Sequence, residues 1–229
     1  MIRAVLLDVD NTLLDFHKCA QESMKRGFAD WGIPFTDETY PVYQTINNPL
    51  WRQIEDGIIT LEDLKRIRWV KVFEALGVDA DGVEFETLFR SYLKEASQPV
   101  EGAYEVLEYL YPKYQLYSAT NGPYLQQLHR LEIAGMSKYM SGNFISEDIG
   151  YPKPTKEYFA VCLEELQKQM SDISKEEILM VGDSLTADIK GGVEFGIRTC
   201  WYNHNKEEHK TDIEADYVVD HLVDLKEIL

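Results

Sequence analysis

The chain has 229 residues, of which 45% are hydrophobic, and its formal net charge at pH 7 is −17. This length and apolar content suit one large domain, or a core domain with a smaller inserted one, and they exclude a largely disordered chain. The negative charge repels nucleic-acid polymers and anionic membranes, and no apolar stretch approaches the ~20 residues that span a bilayer. A small anionic substrate is compatible with this charge if a local cation accompanies it.

The first ten residues, MIRAVLLDVD, contain one basic residue and a short apolar run that ends in acids. A secretory signal has a longer apolar region and a small-residue cleavage site, so we expect neither an export signal nor a membrane anchor. The three cysteines, Cys19, Cys162 and Cys200, form no CxxC pair. We therefore expect reduced thiols in a cytoplasmic protein.

Short apolar runs predict strands that are buried on both faces, because the runs lack the alternation of a half-exposed strand. The clear runs are Ile2–Leu7, Tyr114–Ala119, Glu177–Val181 and Ile197–Trp201, and the weaker ones are Asn143–Ile145 and Tyr217–Val219. Helical patterns lie near 102–111, 123–134, 155–169, 185–195 and 221–228. This alternation predicts an α/β fold, with a Rossmann-like, doubly wound parallel sheet and helices on both faces.

Residues 16–97 interrupt the alternation, because they contain no convincing strand. They read as four amphipathic helices, near 17–31, 38–55, 61–76 and 82–96. Within the third, the basic stretch KRIRWVK (65–71) is short and belongs to an acidic protein, so we expect a solvated helix face and not a nucleic-acid site. We therefore predict an α/β catalytic core of residues 1–15 and 98–229, with an all-helical cap of residues 16–97 inserted after the first strand.

Polar side chains follow the ends of several predicted strands. Because the carboxyl ends of parallel strands meet at one edge of the sheet, where open α/β sheets bind ligands, we expect these side chains to converge. They are Asp8, Thr120, Lys153 and Asp183, with Asp10 and Asp188 beside them.

Four acids in one cleft call for a cation, because two carboxylates ~4 Å apart repel by about 4 kcal/mol at an effective dielectric constant of 20. Mg²⁺ prefers oxygen ligands and is commonly bound together with phosphate. A lysine and a threonine hydroxyl are suited to hold phosphate oxygens. The set therefore predicts a site for phosphoryl transfer.

The motifs also resemble a known family. DVDNT (8–12), the strand-end threonine of YSATNG, the lysine of a KP turn and GDSLTAD (182–188) occur in the order of the haloacid dehalogenase (HAD) superfamily of aspartate-nucleophile phosphatases. The helical insertion after the first motif is similar to the helical cap of that family.

The resemblance implies a role for each matching residue. Asp8 is the nucleophile that forms an aspartyl-phosphate, and Asp10 protonates the leaving oxygen and then activates water. Phosphate oxygens are held by Thr120, Asn121 and Lys153. The implied cofactor is Mg²⁺, with Asp8, Asp183 and the backbone carbonyl of Asp10 as ligands and Asp188 in the metal shell.

The stretch YQTINNPLWRQIEDGIIT (43–60) resembles the cap of the pyrimidine-type 5′-nucleotidases, and GNFISEDIGYPKP and RTCWYN carry similar cues. This resemblance implies a small-molecule phosphate ester as partner, a pyrimidine or deoxyribose nucleoside monophosphate. The net charge already argues against a nucleic-acid polymer or a membrane as partner. Asn47 is a candidate for hydrogen bonds to a base edge, and Trp51 or Phe16 for stacking on the base. The alternative for Trp51 is packing in a small core of the cap. We expect a monomer or a homodimer.

Four alternatives stay open. Two keep the fold and change the substrate or product: a sugar-phosphate or phosphoglycolate phosphatase, and a phosphomutase. A dehalogenase is the third, although that branch lacks the second acid, here Asp10. The fourth is a phospho-accepting signalling domain, which is about half this length and has no helical cap.

Overall fold

The computed structural model describes residues 1–206, 208 and 212–229. It divides into two compact units, one of Met1–Phe16 with Ser97–Leu229 and one of His17–Ala96. The strands are β1 Ala4–Leu7, β2 Gln115–Thr120, β3 Gly142–Ile145, β4 Ile178–Gly182, β5 Arg198–Tyr202 and β6 Tyr217–Val219. The α-helices are α1 Phe16–Asp30, α2 Thr39–Glu55, α3 Leu61–Leu76, α4 Gly82–Lys94, α5 Ala103–Leu110, α6 Tyr124–Ile133, α7 Ser146–Ile149, α8 Lys156–Gln169, α9 Lys190–Phe195 and α10 Leu225–Ile228. Among these described residues, no helix is long and apolar enough to cross a membrane.

The six strands form one sheet in the order β3-β2-β1-β4-β5-β6, and every neighbouring pair is parallel. The chain builds outward from β1 to β3 and then returns to the other side of β1 with β4. Strand order therefore reverses at β1, and in open α/β sheets a ligand crevice lies at the carboxyl ends of the strands at such a point.

Both faces of the sheet are covered, because alternate residues of a strand point to opposite faces. Val5 and Leu7 of β1 join a cluster that includes residues of α5, α6 and α10. Ala4 and Leu6 join a second cluster that includes residues of α8. The predicted doubly wound α/β fold is thus confirmed, and two-sided burial explains why its strands read as continuous apolar runs.

Two predicted helices differ from the structure. The pattern at 185–195 is a five-residue π-helix, Leu185–Ile189, followed by α9. The Ser184 carbonyl accepts hydrogen bonds from the N–H groups of both Asp188 and Ile189, which widens this turn. The pattern at 221–228 is a 3₁₀ turn, Leu222–Asp224, that leads into α10.

The α/β unit leaves and re-enters its fold at adjacent points. Residues 13–15 run beside residues 98–100, where the Asp15 N–H donates to the Gln98 carbonyl at 2.8 Å and the Val100 N–H donates to the Leu13 carbonyl at 3.0 Å. The helical segment is therefore inserted between two stretches, 13–15 and 98–100, that stay bonded to each other. The assignment of residues 16–97 as a cap stays a prediction.

The helical unit has an aromatic interior with one buried ion pair. Rings of α1, α3 and α4 pack against one another, and Trp69 and Phe85 have centroids 4.5 Å apart. The Arg68 guanidinium donates from Nε and Nη2 to the two carboxylate oxygens of Glu86, at 3.0 and 2.6 Å. The predicted solvated face of KRIRWVK is therefore wrong for Arg68 and Trp69, which are buried.

Candidate active site

Asp8 extends the sheet by one residue beyond β1. Its N–H donates to the Val181 carbonyl of β4 at 2.9 Å, and the residue is 7% exposed. The chain then turns tightly, because the N–H groups of Leu13 and Leu14 both donate to the Val9 carbonyl. Asn11 has a φ of 63° in this turn, a left-handed conformation that asparagine tolerates better than most residues.

Lys153 reaches the same place from the loop after α7. Its Nζ donates to Oδ1 of Asp8 at 2.8 Å, to Oδ1 of Asp188 at 2.6 Å and to the Ala119 carbonyl at 2.6 Å, so all three ammonium hydrogens are used. Burial alone would lower the pKa of Lys153, but the two carboxylates outweigh it and raise that pKa. The lysine is therefore a permanent cation at neutral pH.

Three carboxylates gather around this cation. Asp8, Asp183 and Asp188 each offer one oxygen within 4.8 Å of the other two. Burial, with the negative charge of Asp188, raises the pKa of Asp8 to about 7 against the pull of Lys153. Burial and the charges of Asp8 and Asp188 also raise the pKa of Asp183 well above its usual range. When ionised, the three acids outnumber the one lysine and leave a negative excess on hard oxygen donors, and this donor set fits Mg²⁺.

A glycine makes room for the most deeply buried acid. Asp188, which is 1% exposed, accepts the Ser184 N–H at 3.1 Å on Oδ2. A Cβ at Gly182 would lie 2.1 Å from that same oxygen. Gly182 is therefore required by the position of the Asp188 carboxylate, and the π-helix carries this carboxylate back over the end of β4.

Asp183 is held through its backbone. Its N–H donates to Oγ1 of the fully buried Thr12 at 3.2 Å, and its carbonyl accepts the indole N–H of Trp201 at 2.9 Å. The first bond joins the loop after β1 to the loop after β4, and the second joins the loop after β4 to β5. Sequence reasoning did not identify Thr12 or Trp201 as supports, although Thr12 lies inside the DVDNT motif.

Thr120 and Asn121 occupy the end of β2. The Thr120 hydroxyl accepts from the Gly122 N–H at 3.1 Å and from Nε2 of Gln127 at 2.9 Å. Both lone pairs are used by these bonds, which leaves the hydroxyl hydrogen to act as a donor, the polarity that a phosphate oxygen needs. The Asn121 side chain bonds the backbone of Lys153. Its predicted contact with phosphate stays a prediction.

The Asp10 carboxylate is held by two side chains of α6. Oδ1 accepts from Nη1 of Arg130 at 2.5 Å, and Oδ2 accepts from Nε2 of Gln127 at 2.9 Å. The Asp10 side chain is 28% exposed, whereas that of Arg130 is fully buried. Sequence reasoning missed Gln127 and Arg130, and their spacing of three residues on the helix after Thr120 was the only available cue. The predicted contact of the Asp10 carbonyl with metal stays a prediction.

The predicted base contacts belong to the first two helices. Asn47 is buried, and its Oδ1 accepts from Nη1 of Arg68 at 3.0 Å. Trp51 packs against a small cluster of α2 and α3, which was the stated alternative for this residue. Phe16 is half-buried at the start of α1. The roles of all three in substrate binding stay predictions.

A doubly wound parallel sheet that gathers three carboxylates and a buried lysine at its carboxyl edge is suited to bind a divalent cation together with a small anion. The model of the haloacid dehalogenase-like hydrolases matches residues 2–196. The chain belongs to this family, and the predicted family and enzyme class, a HAD-type phosphatase, are confirmed.

Individual relatives cover nearly the whole chain. It is 34% identical to the pyrimidine 5′-nucleotidase PynA of Streptococcus pneumoniae over 98% of this chain and 94% of that protein. It is 32% identical to the pyrimidine 5′-nucleotidase YjjG of Escherichia coli over 98% of this chain and 96% of that protein. The solved structure of the HAD-type hydrolase YfnB of Bacillus subtilis, bound to magnesium, superimposes with a TM-score of 0.91 at 36% identity, over 100% of this chain and 98% of that one.

Proposed function

We propose that this protein is a Mg²⁺-dependent 5′-nucleotidase that hydrolyses pyrimidine nucleoside monophosphates, ribose or deoxyribose, through an aspartyl-phosphate on Asp8. The cluster of Asp8, Lys153, Asp183 and Asp188 carries this proposal. Support for the substrate comes from the similarity to two relatives named as pyrimidine 5′-nucleotidases, each covered by this chain over more than nine-tenths of its length.

The proposed metal ligands are the carboxylates of Asp8 and Asp183 and the backbone carbonyl of Asp10, with Asp188 in the metal shell. When bound, Mg²⁺ would neutralise negative charge on the phosphoryl group. Lys153 supplies a second positive charge in contact with Asp8. Its three hydrogens are already bonded, so a phosphate oxygen would replace one of the present acceptors.

The chemistry runs in two displacements at phosphorus. A carboxylate oxygen of Asp8 attacks the phosphorus, the P–O bond to the nucleoside breaks, and Asp10 gives a proton to the departing 5′-oxygen. Asp10 then takes a proton from water, whose oxygen attacks the same phosphorus and displaces the Asp8 carboxylate, releasing inorganic phosphate. The Thr120 hydroxyl donates to a phosphoryl oxygen in both steps. Covalent catalysis of this kind replaces one difficult step by two easier ones.

Base recognition is assigned to Asn47 and Trp51 of the helical unit and to Phe16, the last residue of the first α/β segment. Asn47 is proposed to contact the base edge, and Trp51 or Phe16 to stack on the ring. The bond from Arg68 occupies one acceptor position of the Asn47 amide and holds its plane in one orientation. We propose a cytoplasmic enzyme that acts as a monomer or a homodimer.

Phosphate release in Mg²⁺, measured across nucleoside 5′-monophosphates, sugar phosphates and phosphoglycolate, tests the proposal, with Asp8→Asn as the blank. We expect kcat/KM to favour pyrimidine monophosphates by about tenfold or more, a difference of about 1.4 kcal/mol in transition-state binding. A preference for sugar phosphates or phosphoglycolate would discard the nucleotidase assignment and retain Asp8 as nucleophile. Turnover that survives in Asp8→Asn would discard the covalent mechanism.

A further inference from the structure

We infer that Gln127 and Arg130 of α6 are positioning residues, which hold the Asp10 carboxylate and the Thr120 hydroxyl in the orientation that the reaction needs. This inference rests on the proposed function, because it assigns Asp10 as the proton donor and acceptor and Thr120 as a phosphate ligand. It concerns two residues that no motif of the chain identifies.

The two side chains join Asp10 and Thr120 in one closed network. Nε2 of Gln127 donates to both Oδ2 of Asp10 and Oγ1 of Thr120, each at 2.9 Å. Nη1 of Arg130 donates to Oδ1 of Asp10 at 2.5 Å and to Oε1 of Gln127 at 2.9 Å. The loop after β1 and the end of β2 are therefore linked through one turn of α6.

The network has only one consistent set of donors and acceptors. An amide nitrogen has two hydrogens, and those of Gln127 are both used, as are the two hydrogens of Nη1 of Arg130. Because Arg130 can only donate, the Gln127 atom that faces it must be the amide oxygen. The amide nitrogen therefore faces Asp10 and Thr120, and Thr120 must accept from it. The Thr120 hydroxyl hydrogen is consequently directed to another acceptor, and each oxygen of Asp10 is bonded by one donor.

The backbone of the site is adapted to this network. A Cβ at Gly122 would lie 2.6 Å from both Cδ and Nε2 of Gln127. A side chain at position 122 would therefore displace the Gln127 amide from its place between Asp10 and Thr120. The close approach of the Gln127 side chain therefore explains why residue 122 is a glycine.

The burial of Gln127 and Arg130 favours a positioning role over direct contact with the substrate. The side chains of Gln127 and Arg130 are fully buried, whereas Asp10 is partly exposed. A substrate can therefore reach Asp10 but not the two residues behind it. Their loss should slow the chemical steps, because a misplacement of about 1 Å can cost ~100-fold in rate. Substrate affinity should change much less, because neither residue contacts the substrate.

The first test compares Gln127→Ala, Gln127→Glu, Arg130→Lys and Arg130→Met with a control, Glu132→Ala, at an exposed position of the same helix. Steady-state kinetics on the best substrate of the wild type should show kcat and kcat/KM falling together by about 10- to 100-fold, with KM within about threefold, the pattern of an interaction made in the transition state. Gln127→Glu should be worse than Gln127→Ala, because a carboxylate there cannot donate and would face Asp10. Arg130→Lys should recover part of the rate lost in Arg130→Met.

The second test uses Gly122→Ala and the double variant Gly122→Ala/Gln127→Ala. Gly122→Ala should lower kcat although it removes no functional group. In the background of Gln127→Ala it should have little further effect, because the displaced amide is already gone, so the two single effects are not additive. Comparison of these variants still tests the positioning role of Gln127 if Arg130→Met does not fold.

Either of two results overturns the inference. One is a folded Gln127→Ala whose kcat lies within about twofold of wild type, and the other is additive losses in the Gly122 and Gln127 cycle. Failure of the proposed function is recognised separately, by a wild-type protein that releases no more phosphate than Asp8→Asn. Retained Asp8-dependent turnover with unaffected Gln127 variants would reject only the positioning role.

Discussion

The side chain of Asn121 pairs with the backbone of Lys153 as a neighbouring strand would. Its Nδ2 donates to the Lys153 carbonyl at 2.9 Å, and its Oδ1 accepts the Lys153 N–H at 2.8 Å. These two bonds tie the loop that carries the lysine to the end of β2. The lysine then spans from this anchor to Asp8 and Asp188.

Asn121→Ala is expected to loosen this anchor and to lower kcat by about tenfold, because the Lys153 ammonium loses its fixed position against Asp8. Asn143→Ala is the matched control, because Asn143 on β3 bonds Ser118 and no described site residue. The measurement is Mg²⁺-dependent phosphate release. Equal activity of the two variants would show that the Asn121 pair does not position the lysine.

Gly182→Ala is expected to displace the Asp188 carboxylate, because the added Cβ would lie 2.1 Å from Oδ2 of that residue. Activity should fall by about tenfold or more, and the affinity for Mg²⁺ should fall with it. Gly142→Ala is the control, since its Cβ would meet only the edge of the Tyr117 ring at 3.1 Å. A fully active Gly182→Ala would contradict the placement of Asp188.

The raised pKa of Asp8 predicts how stability depends on pH and metal. A folded-state pKa of about 7, against a usual 3.8, means that the folded protein binds this proton more tightly than the unfolded chain does. The resulting stabilisation is complete below about pH 4 and is lost as the pH rises through 7. In metal-free protein, the Tm of wild type should therefore approach that of Asp8→Asn as the pH falls from 8 to 5.

Mg²⁺ at pH 8 should raise the Tm of wild type more than that of Asp8→Asn, since the cation replaces the proton among the carboxylates. Calorimetry at pH 6 in buffers of different ionisation enthalpy should detect proton release on Mg²⁺ binding. The raised pKa of Asp8 would be contradicted if the Tm difference between wild type and Asp8→Asn did not change with pH and Mg²⁺ binding released no protons.

The Arg68–Glu86 pair predicts a large stability effect in the helical unit. Burial raises the pKa of Glu86 even though Arg68 opposes the rise, so removal of Arg68 leaves a buried and poorly solvated acid. Arg68→Met should lower the free energy of unfolding by about 3–5 kcal/mol, and Arg68→Met/Glu86→Leu should restore much of it. Urea unfolding followed by tryptophan fluorescence is suitable, because Trp31, Trp51 and Trp69 all lie in this unit.

Arg66→Met on the exposed side of α3 is the control for that series, with an expected change within about 0.5 kcal/mol. A double variant no more stable than Arg68→Met would show that packing, and not the unpaired acid, dominates the loss.

Much of the α/β core was predictable from particular residues. VLL and ILMV are apolar throughout because their strands are covered on both faces, and Asp8 and Asp183 stand out because each ends such a run. The parallel arrangement then places both acids at one edge. Their meeting with Lys153 follows from topology and needs no knowledge of side-chain detail.

The supporting residues were not predictable in the same way. YLQQLHRLEI has the polar pattern of a solvated helix face, yet Gln127 and Arg130 are fully buried. The same holds for Arg68 in KRIRWVK. A buried polar group is tolerated only where a partner of fitting geometry is present, and those partners, Asp10, Thr120 and Glu86, lie outside the local pattern of these helices.

The α/β class and the strand-end acids could be predicted from the sequence because apolar runs are local properties of the chain, and the reaction class could be predicted because the motifs can be read in order along it. Only the tertiary structure decided that the Asp10 carboxylate faces Gln127 and Arg130 and that Asn121 anchors Lys153. It also decided that Gly122 and Gly182 make space for functional side chains. These facts depend on how separate side chains approach one another in three dimensions, and no local pattern encodes such distances.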